Sequence, residues 1–137
     1  MPRPAHPVLT PAELNRALLA RQRLLVREAG DPVAVAGAVG GLQAQEPASP
    51  YLALLARVEG LAAGDVDRAF AAYELVKATL VRATLHAVPA ADHARLWTAV
   101  APSLHAQSRR RVGEVGPERL AALVEAVRAF AAAPRGN

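Results

Sequence analysis

Gly40-Gly41-Leu42-Gln43-Ala44-Gln45-Glu46-Pro47 is the stretch on which the fold of this chain depends. The paired glycines can take positive φ angles at little cost, so they let the backbone leave a helix and approach another segment closely. Gln43 and Gln45 are two residues apart, and in an extended segment both side chains point to the same side. Two amides aimed at one spot can orient a water molecule and stabilise partial charge, but an amide cannot act as a general base.

Start signals predict four short helices around this stretch. Thr10-Pro11-Ala12-Glu13 supplies an N-cap, a proline in the first turn and a capping-box glutamate. Asp31-Pro32 begins the second helix, which ends at the paired glycines, and Ser49-Pro50 begins the third. Asp65 is expected to cap the fourth helix, which is expected to bury Ala69, Phe70 and Tyr73.

The hydrophobic pattern changes from helical to alternating between Leu80 and Ala87. Val81, Ala83, Leu85 and Ala87 form one face, and Arg82, Thr84 and His86 form the other. This period of two predicts a strand or a tight hairpin that Pro89 ends. One or two strands on a small helical cluster are typical of a winged helix. The predicted fold class is therefore mainly α with a small β-hairpin, in a winged-helix-like domain.

The rest of the chain returns to a helical pattern. The helix that starts at Ala90 contains Pro102, which either kinks it or starts a new helix, and it ends at Arg109-Arg110-Arg111. A last helix begins at Gly116-Pro117 and is expected to turn an apolar stripe inward: Leu120, Leu123, Val124, Val127 and Phe130. The predicted organisation is a disordered lead-in over residues 1–9, one domain over residues 10–133, and a linker or truncation point over residues 134–137.

Composition limits the class of protein. The chain has 137 residues, of which 53% are hydrophobic, which suits one compact domain. A net charge of +4 is compatible with a polyanionic partner, although a nucleotide-composition bias toward arginine also explains it. No apolar run reaches the roughly 20 residues of a membrane helix, there is no signal peptide or cysteine, and the cytoplasm is the expected location. The histidines lack metal-ligand spacing, so neither a metal site nor a cofactor is predicted.

Three blocks of the sequence together resemble a known family. They are residues 41–47 (GLQAQEP), 51–60 (YLALLARVEG) and 80–89 (LVRATLHAVP). In this order and spacing they resemble the start of the AlkZ-type winged-helix DNA-binding family. Its members are bacterial DNA glycosylases that remove alkylated bases and unhook some interstrand crosslinks. Gln43-Ala44-Gln45 matches the family's Gln-aliphatic-Gln catalytic motif, with alanine in the middle.

The resemblance implies that Gln43 and Gln45 catalyse hydrolysis of the N-glycosidic bond of N7-alkylated purines, with crosslinked bases as a further class of substrate. Such a purine already carries positive charge, so positioning a water and stabilising the sugar cation can suffice. Nothing marks Lys77, the single lysine, as a Schiff-base nucleophile, which favours a monofunctional hydrolase. The alternative for both glutamines is a polar loop whose amides cap backbone groups.

Contacts with double-stranded DNA are expected from two groups of residues: Arg82, Thr84 and His86 on the predicted strand face, and Arg109, Arg110 and Arg111 at a helix end. Each group has an ordinary explanation as well. The first can be a solvated strand face, and cations are favoured at a helix C-terminus by the helix dipole.

Members of the family are much longer than this chain and join several winged-helix units around the duplex. This chain stops where the second unit is expected, so further winged-helix units are expected to be needed and enzymatic activity of the chain alone stays open. The alternative to a glycosylase domain is a non-catalytic winged-helix DNA-binding module or a truncated fragment.

Overall fold

Six α-helices and a small antiparallel sheet make up the described part of the chain. The computed structural model describes residues 8–113 and 115–133, without the side chains of residues 111 and 112. The predicted fold class, mainly α and winged-helix-like, is confirmed. Most of the predicted lead-in (residues 1–7) and the predicted linker over residues 134–137 lie outside the described residues. In chain order the elements are α1 (Pro11–Arg21), α2 (Pro32–Ala38), β1 (Leu42–Gln43), α3 (Ser49–Leu55), α4 (Ala63–Ala71), β2 (Leu75–Thr79), β3 (Leu85–Pro89), α5 (Ala90–Val112) and α6 (Pro117–Ala132).

The first two helices begin at the caps that the sequence predicts. Thr10 Oγ1 accepts the Glu13 N–H at 3.3 Å and the Glu13 carboxylate accepts the Thr10 N–H at 2.8 Å, which forms a capping box at α1. The Asp31 carboxylate accepts two backbone N–H groups of the first turn of α2, each at 3.1 Å. These side chains satisfy N–H groups that a helix start leaves unpaired.

Both ends of α4 differ from the prediction. Ala62 is the N-cap, and Asp65 lies inside the first turn, where its carboxylate accepts the Ala62 N–H at 2.8 Å. At the other end, Tyr73 N–H donates to Phe70 O at 3.1 Å and Glu74 N–H donates to the carbonyl of residue 69 at 2.9 Å, the two bonds of a Schellman motif. Tyr73 has a φ of 57° and is 77% exposed. It lies beyond the helix, so the helical period does not bury it.

The hairpin starts earlier in the chain than the alternating pattern predicts. β2 and β3 pair antiparallel from Leu75↔Pro89 to Thr79↔Leu85, and residues 80–84 form the turn. Arg82 lies in this turn with a φ of 57°. Thr84 is also in the turn, directly before β3, so only His86 of the three residues lies on a strand, which corrects the predicted shared strand face. The turn contains no Gly, Pro, Asn or Asp, so the usual signals that would have interrupted the alternating pattern are missing.

β1 adds to the free edge of β3 and gives the sheet order β1-β3-β2. Its register is antiparallel, with Leu42 opposite Ala87 and Gln43 opposite His86. Leu42, Ala87 and Leu75 belong to a core that also contains buried residues of α2, α3 and α4. Because residues alternate between the two faces of a sheet, Gln43 and His86 lie on the face opposite this core.

The chain divides into two compact units, Met1–Ala101 and Pro102–Asn137, and the sheet and its core belong to the first. The predicted domain over residues 10–133 spans both units. The boundary falls within α5, which continues as one helix through Pro102. In the second unit, the apolar stripe of α6 is exposed, from 40% at Val124 to 75% at Phe130, so the expected inward packing of this stripe is wrong. Among the described residues, no helix has the length and apolar character needed to cross a membrane.

Candidate active site

α2 ends in a Schellman motif that carries the chain directly into β1. Gly40 N–H donates to Gly37 O at 3.0 Å, and Gly41 N–H donates to Ala36 O at 2.9 Å. The φ angles are 79° at Gly40 and 104° at Gly41, a region that side chains of L-residues rarely adopt. The predicted glycine-dependent exit from the second helix is therefore confirmed.

Gly41 also lets β1 lie close to β3. A Cβ at this position would be 2.7 Å from Val88 Cγ1 and 3.4 Å from Ala87 O. Val88 is fully buried, so it has little room to move aside. A Cβ at Gly40, by contrast, would meet nothing within 4 Å. Gly41 is thus the residue that sets the distance between the glutamine stretch and β3.

The two glutamines and the apolar residues beside them point to opposite sides. Leu42 and Ala44 are buried, with 4% and 2% of their surfaces exposed. Gln43 and Gln45 are exposed. This alternation is that of an extended segment, and it directs both amides to the outer side of the sheet, as their spacing predicts.

The amide of Gln45 is held by the backbone of β3. Leu85 N–H donates to Gln45 Oε1 at 2.8 Å, and Ala44 N–H donates to Leu85 O at 2.8 Å. A backbone N–H can only donate, so the atom facing Leu85 is the amide oxygen and the NH2 group of Gln45 points away from Leu85 N. The side chain of Gln45 therefore takes the ladder position that the Ala44 carbonyl would otherwise fill.

Both the oxygen and the NH2 group of the Gln43 amide are available to bind a ligand. Within residues 8–113 and 115–133, its side chain makes no hydrogen bond. It faces His86 directly across the sheet, and Gln45 is bonded to Leu85, the residue between Thr84 and His86. Four predicted site residues therefore lie close together beside the same edge of β3: Gln43, Gln45, Thr84 and His86.

Local hydrogen bonds fix Thr84 and His86 in this cluster. Thr84 Oγ1 donates to Val81 O at 2.9 Å. His86 Nδ1 lies 2.9 Å from Thr84 O. A carbonyl oxygen only accepts, so Nδ1 carries the proton of the neutral ring and Nε2 carries the lone pair. Both residues are half-buried, in contrast to the exposed glutamines beside them.

The predicted arginines are not part of this cluster of four. Arg82 is exposed in the turn of the hairpin. Arg109 and Arg110 are exposed near the end of α5 in the second unit, where Arg109 borders a cleft with Leu120. The side chain of Arg111 lies outside the described residues. In the described ranges, no three His, Asp or Glu residues lie close enough to hold a metal ion.

Sequence reasoning missed the Leu85 N–H group, which fixes Gln45, and the Val88 side chain, which fixes the position of Gly41. A backbone donor has no signature in the sequence. The signal that could have found both is the register of β1 against β3, which pairs position 43 with position 86. That register depends on a long-range contact and not on local pattern.

Comparisons with known proteins point to one family. The family model described as DNA glycosylase AlkZ-like matches residues 36–136, a range that contains the glutamine stretch and the whole sheet. Among solved structures, the Streptomyces sahachiroi DNA glycosylase AlkZ is similar, with a TM-score of 0.65 and 26% sequence identity. The match covers 82% of this chain and 31% of that one, so this chain spans about a third of the length of AlkZ. No curated protein gave a significant match.

Proposed function

Because this chain belongs to the AlkZ-like DNA glycosylase family, we propose that it forms the catalytic winged-helix unit of a DNA-repair glycosylase. The proposed reaction is hydrolysis of the N-glycosidic bond of N7-alkylated purines in double-stranded DNA. Crosslinked purines are a further class of substrate in this proposal, and additional winged-helix units extend the contact with the duplex.

The observation that carries the proposal is a pair of exposed amides two residues apart in the segment that begins with β1, of which one is held in place. Leu85 N–H fixes the Gln45 amide at 2.8 Å, so this side chain gives up little conformational freedom when it meets a substrate. Gln43, two residues earlier, has no partner among the described residues and can turn toward a ligand. Preorganised polar groups of this kind are what stabilise charge in a transition state.

The proposed reaction does not require these amides to protonate the leaving base. An N7-alkylated purine leaves as a neutral base without a general acid, and the sugar passes through a state that resembles an oxocarbenium ion. In the proposed mechanism, Gln43 Oε1 accepts a hydrogen bond from the attacking water and holds it near the developing positive charge. The oxygen of Gln45 is already occupied, so Gln45 donates from its NH2 group to an oxygen of the sugar or phosphate.

The position of Lys77 supports hydrolysis over Schiff-base chemistry. Lys77 pairs with Ala87, which places it on the core side of the sheet and away from Gln43. Its ammonium group lies 5.2 Å from the centroid of the Phe70 ring. A Schiff-base intermediate at the sugar requires an amine beside the glutamines. We therefore propose a monofunctional enzyme that removes the base and leaves the backbone intact.

Arginines supply most of the proposed contacts with DNA phosphates. Arg82 is exposed at the hairpin turn and can reach a phosphate without disturbing the sheet. Thr84 and His86 lie beside the glutamines and contact the target nucleotide in this proposal. Arg109, Arg110 and Arg111 add positive charge along α5, and such contacts make affinity fall as salt rises.

The test is the release of free N7-methylguanine from methylated duplex DNA under single-turnover conditions, with DNA binding measured on the same samples. Gln43→Ala and Gln45→Ala are compared with the unchanged chain and with Gln22→Ala. Gln22 is an exposed glutamine at the end of α1 and serves as the matched control. We expect each site variant to release base about 100-fold more slowly, and Gln22→Ala to match the unchanged chain.

Other outcomes separate the alternatives. If both site variants still release base at the original rate, the glutamines take no part in the reaction. DNA binding without release by the unchanged chain would favour a non-catalytic winged-helix module. If neither binding nor release is seen, the proposed DNA function is wrong for this chain on its own.

A further inference from the structure

A group that takes a proton from the attacking water would accelerate hydrolysis at the glutamine site. In the proposed hydrolysis, the attacking water loses a proton as its oxygen bonds to the sugar carbon. Neither amide can accept that proton, because an amide oxygen is only a hydrogen-bond acceptor and is not a base at neutral pH. A basic nitrogen lies next to Gln43 on the same face of the sheet, in His86.

The register of the sheet brings the His86 and Gln43 side chains close together. Ala44 N–H donates to Leu85 O at 2.8 Å, so this pair of residues is of the hydrogen-bonded kind. The neighbouring pair, Gln43 and His86, is then of the non-hydrogen-bonded kind, in which facing side chains approach most closely. A water held by Gln43 Oε1 would therefore lie within reach of the His86 ring.

The hydrogen bond of His86 leaves the appropriate nitrogen available. Nδ1 donates to Thr84 O at 2.9 Å, so Nε2 of the neutral ring has an unprotonated lone pair. Among the described residues, this Nδ1 contact is the only hydrogen bond that the His86 side chain makes. The same bond restrains the ring, which is how a general base is commonly oriented for proton transfer.

We infer that His86 Nε2 accepts the proton of the attacking water while Gln43 Oε1 orients that water, an inference that rests on the proposed glycosylase function. The water oxygen forms a bond to C1′ of the sugar as the bond from C1′ to the purine nitrogen breaks. The bonding electron pair moves to the purine and neutralises its positive charge. The water proton moves to Nε2, and the imidazolium then returns it to solvent.

Glu46 is the competing base. It follows Gln45 directly and is exposed. Glu46 lies beyond the last hydrogen bond between the β1 segment and β3, in the turn that leads into α3, where its backbone oxygen accepts the Ser49 N–H at 3.0 Å. Its carboxylate therefore lacks the direct cross-strand position that His86 has opposite Gln43.

The test compares two substitutions that separate the two nitrogens of His86. Asparagine carries its amide nitrogen where histidine carries Nδ1, so His86→Asn can keep the bond to Thr84 O but has nothing at the position of Nε2. We expect His86→Asn to lower the single-turnover rate of N7-methylguanine release by about 100-fold at protein concentrations that saturate the DNA, with an unchanged melting temperature. His86→Ala creates space for free imidazole, and added imidazole is expected to restore part of its rate. Glu46→Gln is the control and should release base at the original rate.

The outcomes are distinct. If the unchanged chain releases no base, both the proposed function and this inference fail. If it releases base and His86→Asn does so at the same rate, or if imidazole leaves His86→Ala unaffected, only the inference is overturned. A large loss in Glu46→Gln would also overturn it, because the carboxylate would then be the proton acceptor.

Discussion

Replacing Gly41 by alanine should push the glutamine stretch away from β3 without altering either glutamine. The new Cβ would lie 2.7 Å from Val88 Cγ1 and 3.4 Å from Ala87 O. Val88 is fully buried and the second atom belongs to the backbone of a central strand, so neither can easily give way. We expect β1 to move outward and the hydrogen bond between Leu85 and Gln45 to weaken.

Gly40→Ala is the matched control, because it has the backbone strain without the collision. Both glycines have positive φ angles, 79° and 104°, but a Cβ at Gly40 meets nothing within 4 Å. Left-handed backbone costs an L-residue about 1–2 kcal/mol, and overpacking a core adds about 1–3 kcal/mol. The change in unfolded-chain entropy is common to both variants. Gly41→Ala should therefore lower the free energy of unfolding by about 1–3 kcal/mol more than Gly40→Ala does.

Urea denaturation measures both free energies of unfolding, and single-turnover base release measures the effect on the site. We expect Gly41→Ala to reduce release and Gly40→Ala to leave it nearly unchanged under conditions where both remain folded. If the two variants are equally destabilised, the close approach of β1 to β3 is not as described. If Gly41→Ala is destabilised but releases base normally, the site does not depend on that approach.

Three other residues give separate tests. Tyr73→Gly should stabilise the protein by about 0.5–1 kcal/mol, because Tyr73 has a φ of 57° and is 77% exposed; a lower melting temperature would contradict this. Arg57→Met should destabilise it by about 1–3 kcal/mol in urea denaturation. The half-buried guanidinium, whose pKa is lowered by burial, donates to Gln22 O at 2.9 Å and Ala53 O at 2.7 Å, so unchanged stability would show that these bonds contribute nothing. Arg82→Ala should weaken DNA binding and reduce the slope of log affinity against log salt by about one. Arg16 is exposed on α1. An equal effect from Arg16→Ala would show that DNA affinity depends on total positive charge and not on the position of Arg82 in the fold.

Features that depend on a few neighbouring residues could be predicted from the sequence. The capping box of Thr10 and Glu13 and the glycine-dependent end of α2 are local hydrogen-bond patterns, and the residue types required for them stand at fixed spacings. The side to which Gln43 and Gln45 point also follows from local geometry, since alternate residues of an extended segment share a face.

Features that depend on contacts between distant segments could not be predicted. The hydrogen bond from Leu85 N–H to Gln45 joins residues 40 positions apart, and neither residue type indicates it in the sequence. The alternating pattern predicts a strand where the structure has the turn of the hairpin, because residues 80–84 lack the residue types that usually mark a turn. The apolar stripe of α6 identifies a face of that helix, but periodicity alone does not determine whether the face is covered.

In the proposed mechanism, Gln43 and Gln45 act together on one glycosidic bond. The most direct measurement is the single-turnover rate of N7-methylguanine release by Gln43→Ala, Gln45→Ala and the double variant, at protein concentrations that saturate the DNA. Residues that act as a unit give losses that do not add. We therefore expect each single variant to lose about 100-fold and the double variant to lose little more. Losses that multiply in the double variant would show that the two amides act independently. Single variants that release base at the original rate would show that neither glutamine takes part in the reaction.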